Sequence, residues 1–227
     1  MSQISIIIPT INEANNLPLL LSDLSSIQEE DEIIIVDCGS EDKTIDIANI
    51  YGAKVFTSKE KNRGSQLNMG AKNSKGDWLI FLHADTRLTH DWFRKTISFL
   101  KGNKNSIYYF KFKINHRKII YRVLEILVNF RSNYFKQPYG DQGLVIHRTT
   151  YFKNNGFRKI PLMEDVDFLR RLNKKKDLKQ LNLPIFISSR KWERTNIFLQ
   201  AIKNWHFRRR WLTGESLESI YFDYYKK

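Results

Sequence analysis

Three polar groups each follow an apolar run in this chain. Pro9-Thr10-Ile11-Asn12-Glu13 closes ISIIIPT, Asp37-Cys38-Gly39-Ser40 closes DEIIIV, and His83-Ala84-Asp85 closes WLIFL. A buried strand needs only a turn at its end, which Gly, Asn or Pro would supply, so a histidine followed by a carboxylate calls for another reason. Carboxylates gathered on one rim repel one another, and a cation or a hydrogen-bonding ligand compensates such a cluster. The same residue types also cap helices, and for Asp37, Ser40 and Asp42 that reading stands beside the ligand one. Two later groups belong with these. Tyr-Gly-Asp-Gln-Gly at 139–143 is a loop composition that lets backbone and acid approach a sugar. Glu164 and Asp165 stand before a helix whose Val166, Phe168, Leu169 and Leu172 make an apolar face, a place where an acid also favours the helix N-terminus.

The elements that must position these groups alternate. Residues 4–10, 31–40, 53–58 and 77–85 read as apolar strands, and 13–27, 41–52 and 62–76 as the helices between them. The small residues of 62–76 allow that helix to pack closely. Strands apolar throughout and alternating with helices predict an α/β chain with a mostly parallel sheet covered by helices on both faces. In open sheets of this kind ligands bind at the carboxyl ends of the strands, where all three polar groups fall. No repeat and no Pro/Gly/Ser-rich linker divides the 227 residues, which are expected to form a single domain.

Charge is unevenly placed. Residues 1–100 carry 10 basic and 14 acidic side chains, and residues 101–227 carry 28 and 10. A basic second half suits an anionic surface or ligand, and a lysine-rich solvated surface accounts for part of the excess. Cys38 is the only cysteine, so no intrachain disulfide framework is possible and a cytoplasmic location is expected. The N-terminal run reaches Pro9 too soon for a signal peptide or a span and reads as a first strand. Segment 117–135 is apolar but interrupted by Arg122, Glu125 and Arg131, the pattern of an amphipathic helix that serves as a membrane face or a dimer face.

SIIIPTINEANNL, IIIVDCGSEDKT, NRGSQLNMGA, FLHADT, YGDQGLVIHR and LMEDVDFLRRL, in this order over residues 4 to 195, resemble the motifs of family 2 glycosyltransferases with the GT-A fold, in particular a small soluble bacterial branch. The resemblance implies a nucleotide-binding half at 1–100 and a basic acceptor-side half at 101–227 that ends in amphipathic helices. It implies a nucleotide-diphosphate sugar donor, with uracil the expected base. Pro9, Thr10, Asn12 and Glu13 would line the base and ribose pocket, Asp37 would accept from the base, Gly39 would let the backbone come close, and Arg63 would contact the nucleotide or its phosphates. His83-Ala84-Asp85 occupies the place of the family's Asp-x-Asp signature. Asp85 is there the ligand of Mn²⁺ or Mg²⁺, and His83, in the place of the first acid, either binds the metal, hydrogen-bonds a ribose or phosphate oxygen, or is a satisfied core histidine. Asp141 and Gln142 are expected at the donor sugar or acceptor. Of the Glu164–Asp165 pair, the second acid resembles the general base of an inverting displacement.

Segment 188–214 interleaves Arg and Lys with Trp192, Trp205 and Trp211. Processive synthases of the wider family have a Gln-x-x-Arg-Trp motif. Arg210-Trp211 fit it, but Phe207 stands in the glutamine slot, so transfer of a single sugar is the expectation. Arg190 and Arg194 are expected at the diphosphate, and 203–211 as a basic helix on anionic lipid at the inner face of the cytoplasmic membrane, which suits a lipid-linked hydroxyl acceptor. Two other classes are weighed. A nucleic-acid binder would use the basic, aromatic second half but leaves the strand-end acids unexplained. A nucleotide-sugar-binding relative without transfer activity is made credible by His83.

Overall fold

The computed structural model describes residues 3–100, 104–172, 178–188 and 197–225. The first hundred residues follow the expected alternation. Strand β1 (Ile4–Thr10) leads through helix α1 (Leu17–Asp23) to β2 (Glu32–Asp37), then α2 (Thr44–Ile50), β3 (Lys54–Thr57), α3 (Arg63–Asn73) and β4 (Trp78–Phe81). After β5 (Thr86–Leu88) and α4 (Trp92–Leu100) come β6 (Ile107–Ile114), α5 (Ile119–Tyr134), a 3₁₀ turn at Gly140–Gln142, β7 (Leu144–His147), α6 (Arg148–Lys153), α7 (Glu164–Arg171), β8 (Leu178–Ile187), α8 (Ile197–Leu212) and α9 (Leu217–Tyr225).

The eight strands run in the order β3-β2-β1-β4-β7-β6-β8-β5. β1, β2, β3 and β4 are mutually parallel, with Thr10 opposite Asp37 and Ile7 opposite Phe81. β7 enters antiparallel beside β4, and β8 lies parallel to β6. β1 is buried on both faces. Ile4, Ile6 and Ile8 join the cluster of α1, α4 and α5, while Ile7 joins the cluster of α3, α6 and α7. Each such side chain contributes about 1.5–3 kcal/mol when withdrawn from water, which is why the run is apolar without alternation.

Most element bounds are shorter than expected, and among the strand ends that of β4 departs furthest. The strand expected over 77–85 stops at Phe81, because its partner β7 begins at Leu144, opposite Phe81. Beyond that point Leu82 still donates to the Ile7 carbonyl at 3.1 Å, and His83-Ala84-Asp85 then leaves the sheet as a loop beside the end of β1. The chain re-enters the sheet only at its far edge, where β5 pairs with β8. A fixed loop, and not the strand itself, therefore presents His83 and Asp85.

Candidate active site

The ends of β1 and β2 are stitched into one rim. Asp37 is fully buried, and its carboxylate accepts from the Thr10 hydroxyl at 2.9 Å, from the Ser40 backbone N–H at 2.8 Å and from the Ser40 hydroxyl. Ser40 Oγ in turn accepts from Asn12 N at 2.8 Å, and Asn12 Oδ1 accepts from Glu41 N at 2.8 Å. Glu13 N donates to Thr44 Oγ1, and Glu13 Oε2 accepts from Asn16. Asn12 holds φ at 53°, a left-handed conformation that costs a non-glycine residue energy and is sustained here by its two bonds. Gly39 lies at φ 74° with open space where a side chain would stand, so glycine is required by the turn and the space above it stays clear. Pro9 and Ala84 pack at the same rim, Ala84 buried and Pro9 half-buried.

A second group meets around Gly140. The Gly140 N–H donates to Asp165 Oδ2 at 2.6 Å. A side chain at this glycine would stand 3.2 Å from Asp165 Oδ2, 3.2 Å from His83 Nε2 and 3.7 Å from Arg63 Nη2, so the four residues surround one point. Arg63, at the first position of α3, pairs through Nε with Glu164 Oε1, and its Nη1 lies 3.3 Å from His83 Nε2. With the guanidinium donating, Nε2 accepts and the imidazole proton sits on Nδ1. Arg63, His83, Gly140, Glu164 and Asp165 line a solvent-open cleft whose apolar wall includes Leu67, Phe81 and Phe157.

Environment separates the two adjacent acids. Glu164 is buried, and burial pushes its carboxyl pKa up, aided by Asp165 and opposed by Arg63. For Arg63, burial alone would lower the pKa, and Glu164, Asp165 and Asp141 outweigh it to hold the guanidinium firmly charged. Asp165 is half-exposed and is oriented by two backbone donors, Gly140 N and Val166 N. Its carboxylate faces the cleft while that of Glu164 is occupied with Arg63. Met163, just before them, adopts φ 62° and ψ 29°, a left-handed non-glycine residue that turns the chain into α7. Glu164, Asp165 and Asp167 then occupy the first turn, where the helix dipole favours negative charge.

Not all the expected residues converge. Asp37 and Thr10 belong to the neighbouring rim, and neither they nor Asp85 line the cleft. Asp85 follows His83 on the same loop and is half-exposed. Gln142 has no exposed surface. Its Oε1 accepts from Ser132 Oγ at 2.5 Å and its Nε2 donates to the Phe110 carbonyl at 3.3 Å, so it shapes the 140–142 turn and does not face a sugar. Asp141 adds negative charge felt by both Arg63 and Arg131. Arg190 and Arg194 lie outside the described residues. Among the described residues no three His, Cys, Asp or Glu side chains gather at metal-ligand spacing. Magnesium-type ions at phosphate sites are commonly held by one or two carboxylates, with substrate oxygens completing the shell, and a lone Asp85 fits that kind of donor set.

Several contributors escaped the sequence reading. Gln66 of α3 donates to the Thr10 and Val36 carbonyls at 3.0 and 2.7 Å and locks the ends of β1 and β2 together. Tyr139 carries Arg131 3.6 Å above its ring and accepts from Arg208 of α8 at 2.5 Å, so the turn that supplies Gly140 is clamped from two helices. Both stand inside quoted motifs, Gln66 in NRGSQLNMGA and Tyr139 in YGDQG, but the residue type alone gave neither a bonding role.

The description "Glycosyl transferase family 2" matches residues 5–165. Over 91 residues the chain is 40% identical to a PGL/p-HBAD biosynthesis glycosyltransferase of Mycobacterium tuberculosis, covering 37% of this chain and 36% of that protein. Over 95 residues it is 38% identical to the 4,4'-diaponeurosporenoate glycosyltransferase of Staphylococcus haemolyticus, covering 39% and 25%. These matches thus span only about a quarter to a third of those relatives' lengths. Among solved structures, TarS 1-349 of S. aureus in complex with UDP-GlcNAc is similar at a TM-score of 0.66 and 20% identity, covering 82% of this chain and 58% of that one. Glucosyl-3-phosphoglycerate synthase of Mycobacterium tuberculosis, in complex with Mn²⁺, UDP and glucosyl-3-phosphoglycerate, is similar at 0.59 and 18%, covering 81% and 70%. At such identity these likenesses speak for the fold. With its motifs in order through residue 165 and its strand ends built into one rim, the chain belongs to glycosyl transferase family 2 and has the GT-A fold.

Proposed function

We propose that this protein moves one sugar from a UDP-sugar to an acceptor hydroxyl by a metal-assisted inverting displacement, with Asp165 as the general base. The observation that carries the reading is the placement of Asp165. It is held by two backbone N–H groups in a cleft that also contains a charged Arg63, and its neighbour Glu164 is taken up by that arginine. A carboxylate oxygen that accepts one backbone bond retains capacity for the proton of an attacking hydroxyl. Glu164 acts here as a positioning residue, since it fixes the Arg63 guanidinium where negative charge gathers on the departing diphosphate.

A divalent ion, if held on the protein side by Asp85, would supply positive charge that stabilises the departing diphosphate. The loop of His83 and Asp85 orients that end of the donor, and the imidazole, with Nε2 toward Arg63, keeps the guanidinium in register. The rim formed by Pro9, Thr10, Asn12, Glu13, Asp37 and Gly39 takes the nucleoside, with Ser40 and Thr10 exchanging part of their present bonding for the base. UDP in the complexes of both fold relatives supports uracil. The acceptor presents its hydroxyl from the side of the 139–143 turn, at a membrane surface.

The test measures UDP release with a panel of UDP-sugars and Mn²⁺, alongside UDP-dependent thermal stabilisation. Asp165→Asn is expected to keep the stabilisation and to lose UDP release. An Asp165→Asn variant that still turns over at the parent rate would exclude the assigned base. Stabilisation by UDP-sugar without any UDP release from the parent would instead point to a binding protein, the reading that His83 favours.

A further inference from the structure

Helix α5 carries apolar side chains on both sides: Tyr121 and Leu124 are buried, Ile120 and Val128 pack against the core, and a second apolar stripe faces out. Its inward face carries Glu125, Asn129 and Ser132 beside Tyr121 and Leu124. Glu125 accepts from Ile114 N at 2.7 Å, Asn129 brackets Phe112 N and O at 2.9 Å each, and Ser132 reaches Gln142. Its outward face shows Ile119, Val123, Ile126, Leu127, Phe130 and Tyr134, each between 42% and 80% exposed. A surface helix normally turns a polar face to water, and an exposed apolar stripe this continuous marks an interaction surface. Phe130 stacks on Tyr134 at 5.5 Å and 7°, and Phe135 meets both edge-on, which places aromatic rings at one end of the stripe.

We propose that the outward face of α5 docks on an anionic lipid bilayer, lying in the plane of the headgroups. Charge selects this occupant. Arg117 and Lys118 are exposed at the start of the helix and Lys136 follows its end, within a half of the chain that carries 28 basic against 10 acidic side chains. A second copy would bring the same positive charge against this face, whereas anionic headgroups neutralise it. Sixteen residues make a rod of about 24 Å at 1.5 Å per residue, and no helix among the described residues is long and apolar enough to cross a membrane. An in-plane seat uses its apolar face and its basic ends together. α8 repeats the composition, exposing Ile202, Trp205 and Leu212 among Lys203 and Arg209.

The docked helix is tied to the chemistry. Arg131 of α5 donates to the Gln137 carbonyl at 3.2 Å and lies over Tyr139, the residue before Gly140, whose N–H holds Asp165. Seating α5 on lipid therefore brings the 139–143 side of the cleft to headgroup level, where the acceptor hydroxyl is carried on a lipid. That consequence rests on the transfer reading above, while the docking itself does not.

The test is cosedimentation of the full chain with vesicles of equimolar phosphatidylglycerol and phosphatidylcholine, and with phosphatidylcholine alone, at low salt. The parent is expected in the pellet with the anionic vesicles only. Ile126→Glu combined with Phe130→Glu, both exposed positions, should lower that partition by tenfold or more while leaving thermal stabilisation by UDP unchanged. A parent that stays in the supernatant, or a double variant that pellets like the parent, overturns the proposal. So does a concentration-dependent dimer in sedimentation velocity that the double variant abolishes while vesicle binding persists. UDP stabilisation measured without lipid keeps the two readings apart, because its absence in the parent sinks donor binding and leaves docking untouched.

Discussion

On the parallel strands of the first half, Glu32 and Asp37 turn their carboxylates inward. Asp37 accepts from Thr10 and from Ser40, and buried Glu32 takes Ser5 Oγ at 2.6 Å, Lys54 Nζ at 2.5 Å and Lys75 N at 2.5 Å. Beyond residue 114 apolar and acidic groups face outward: α5 exposes a stripe from Ile119 to Tyr134, and Asp165 faces a cleft, held by the backbone N–H groups of Gly140 and Val166. The contrast teaches that carboxylates saturated by near neighbours first fix the shape of the platform and its rim, while a carboxylate left facing outward is placed to act on a ligand. Inward acids should therefore govern stability and outward ones rate.

The sharpest test of that division is Asp165→Asn. Loss of a general base typically lowers turnover by about 10²–10⁴-fold, and UDP release should fall by that order with little change in melting temperature. An equal loss of stability would break the comparison. Asp37→Ala probes the other side. Removing a buried carboxylate strands the Thr10 hydroxyl and two Ser40 donors, at about 1–3 kcal/mol for a buried group left unsatisfied. At about 2–4 °C per kcal/mol for a chain of this size, a drop of several degrees should appear in a thermal melt. A melt identical to the parent would show that the rim is not a platform.

Gly140→Ala is a milder probe. The added methyl would press on Asp165 Oδ2 and His83 Nε2 at 3.2 Å each, and small misplacements of a catalytic group cost on the order of tenfold or more. The effect should fall on kcat with the melting temperature almost unmoved. The smallest effect concerns acid. Arg210 holds Glu215 and Asp223 together across α8 and α9, and the Arg210 hydrogen bond pulls the Glu215 pKa down to about 2 from an ordinary 4.5. Because the folded value is depressed, this contribution is present above pH 4.5 and lost as pH falls through about 2. Hydrogen exchange in α9 should quicken over that window and hardly change between pH 5 and 8. Faster exchange on raising the pH, beyond the intrinsic chemical rate, would reverse the sign.

Much of the platform was legible before any coordinates. Runs such as ISIIIPT and EIIIVD place three or four consecutive apolar residues at their centres because both faces of a parallel strand are covered, and α3 begins at Arg63 close to where the Gly-containing loop announced it. The amphipathic character of 117–135 was equally plain, since periodicity depends on residue spacing alone. Which backbone groups its polar residues would meet was not, because a period names no partners. For Asn129 and Glu125, β6 supplies them through the backbone of Phe112 and Ile114.

The same limit applies to the acids. Local sequence determined that Glu164 and Asp165 would begin a helix, since helix starts are written in a few adjacent residues. It could not assign them different work. Glu164 is occupied because Arg63, 101 positions earlier, reaches it, and Asp165 is aimed because Gly140, 25 positions earlier, donates to it. The sequence by itself thus determined the strands, the helices and the residue types at their ends, all properties of short-range spacing. Which carboxylate faces the cleft, where β4 stops and what the polar residues of α5 bind were decided by the tertiary structure, because each depends on partners that only the folded chain brings within bonding distance.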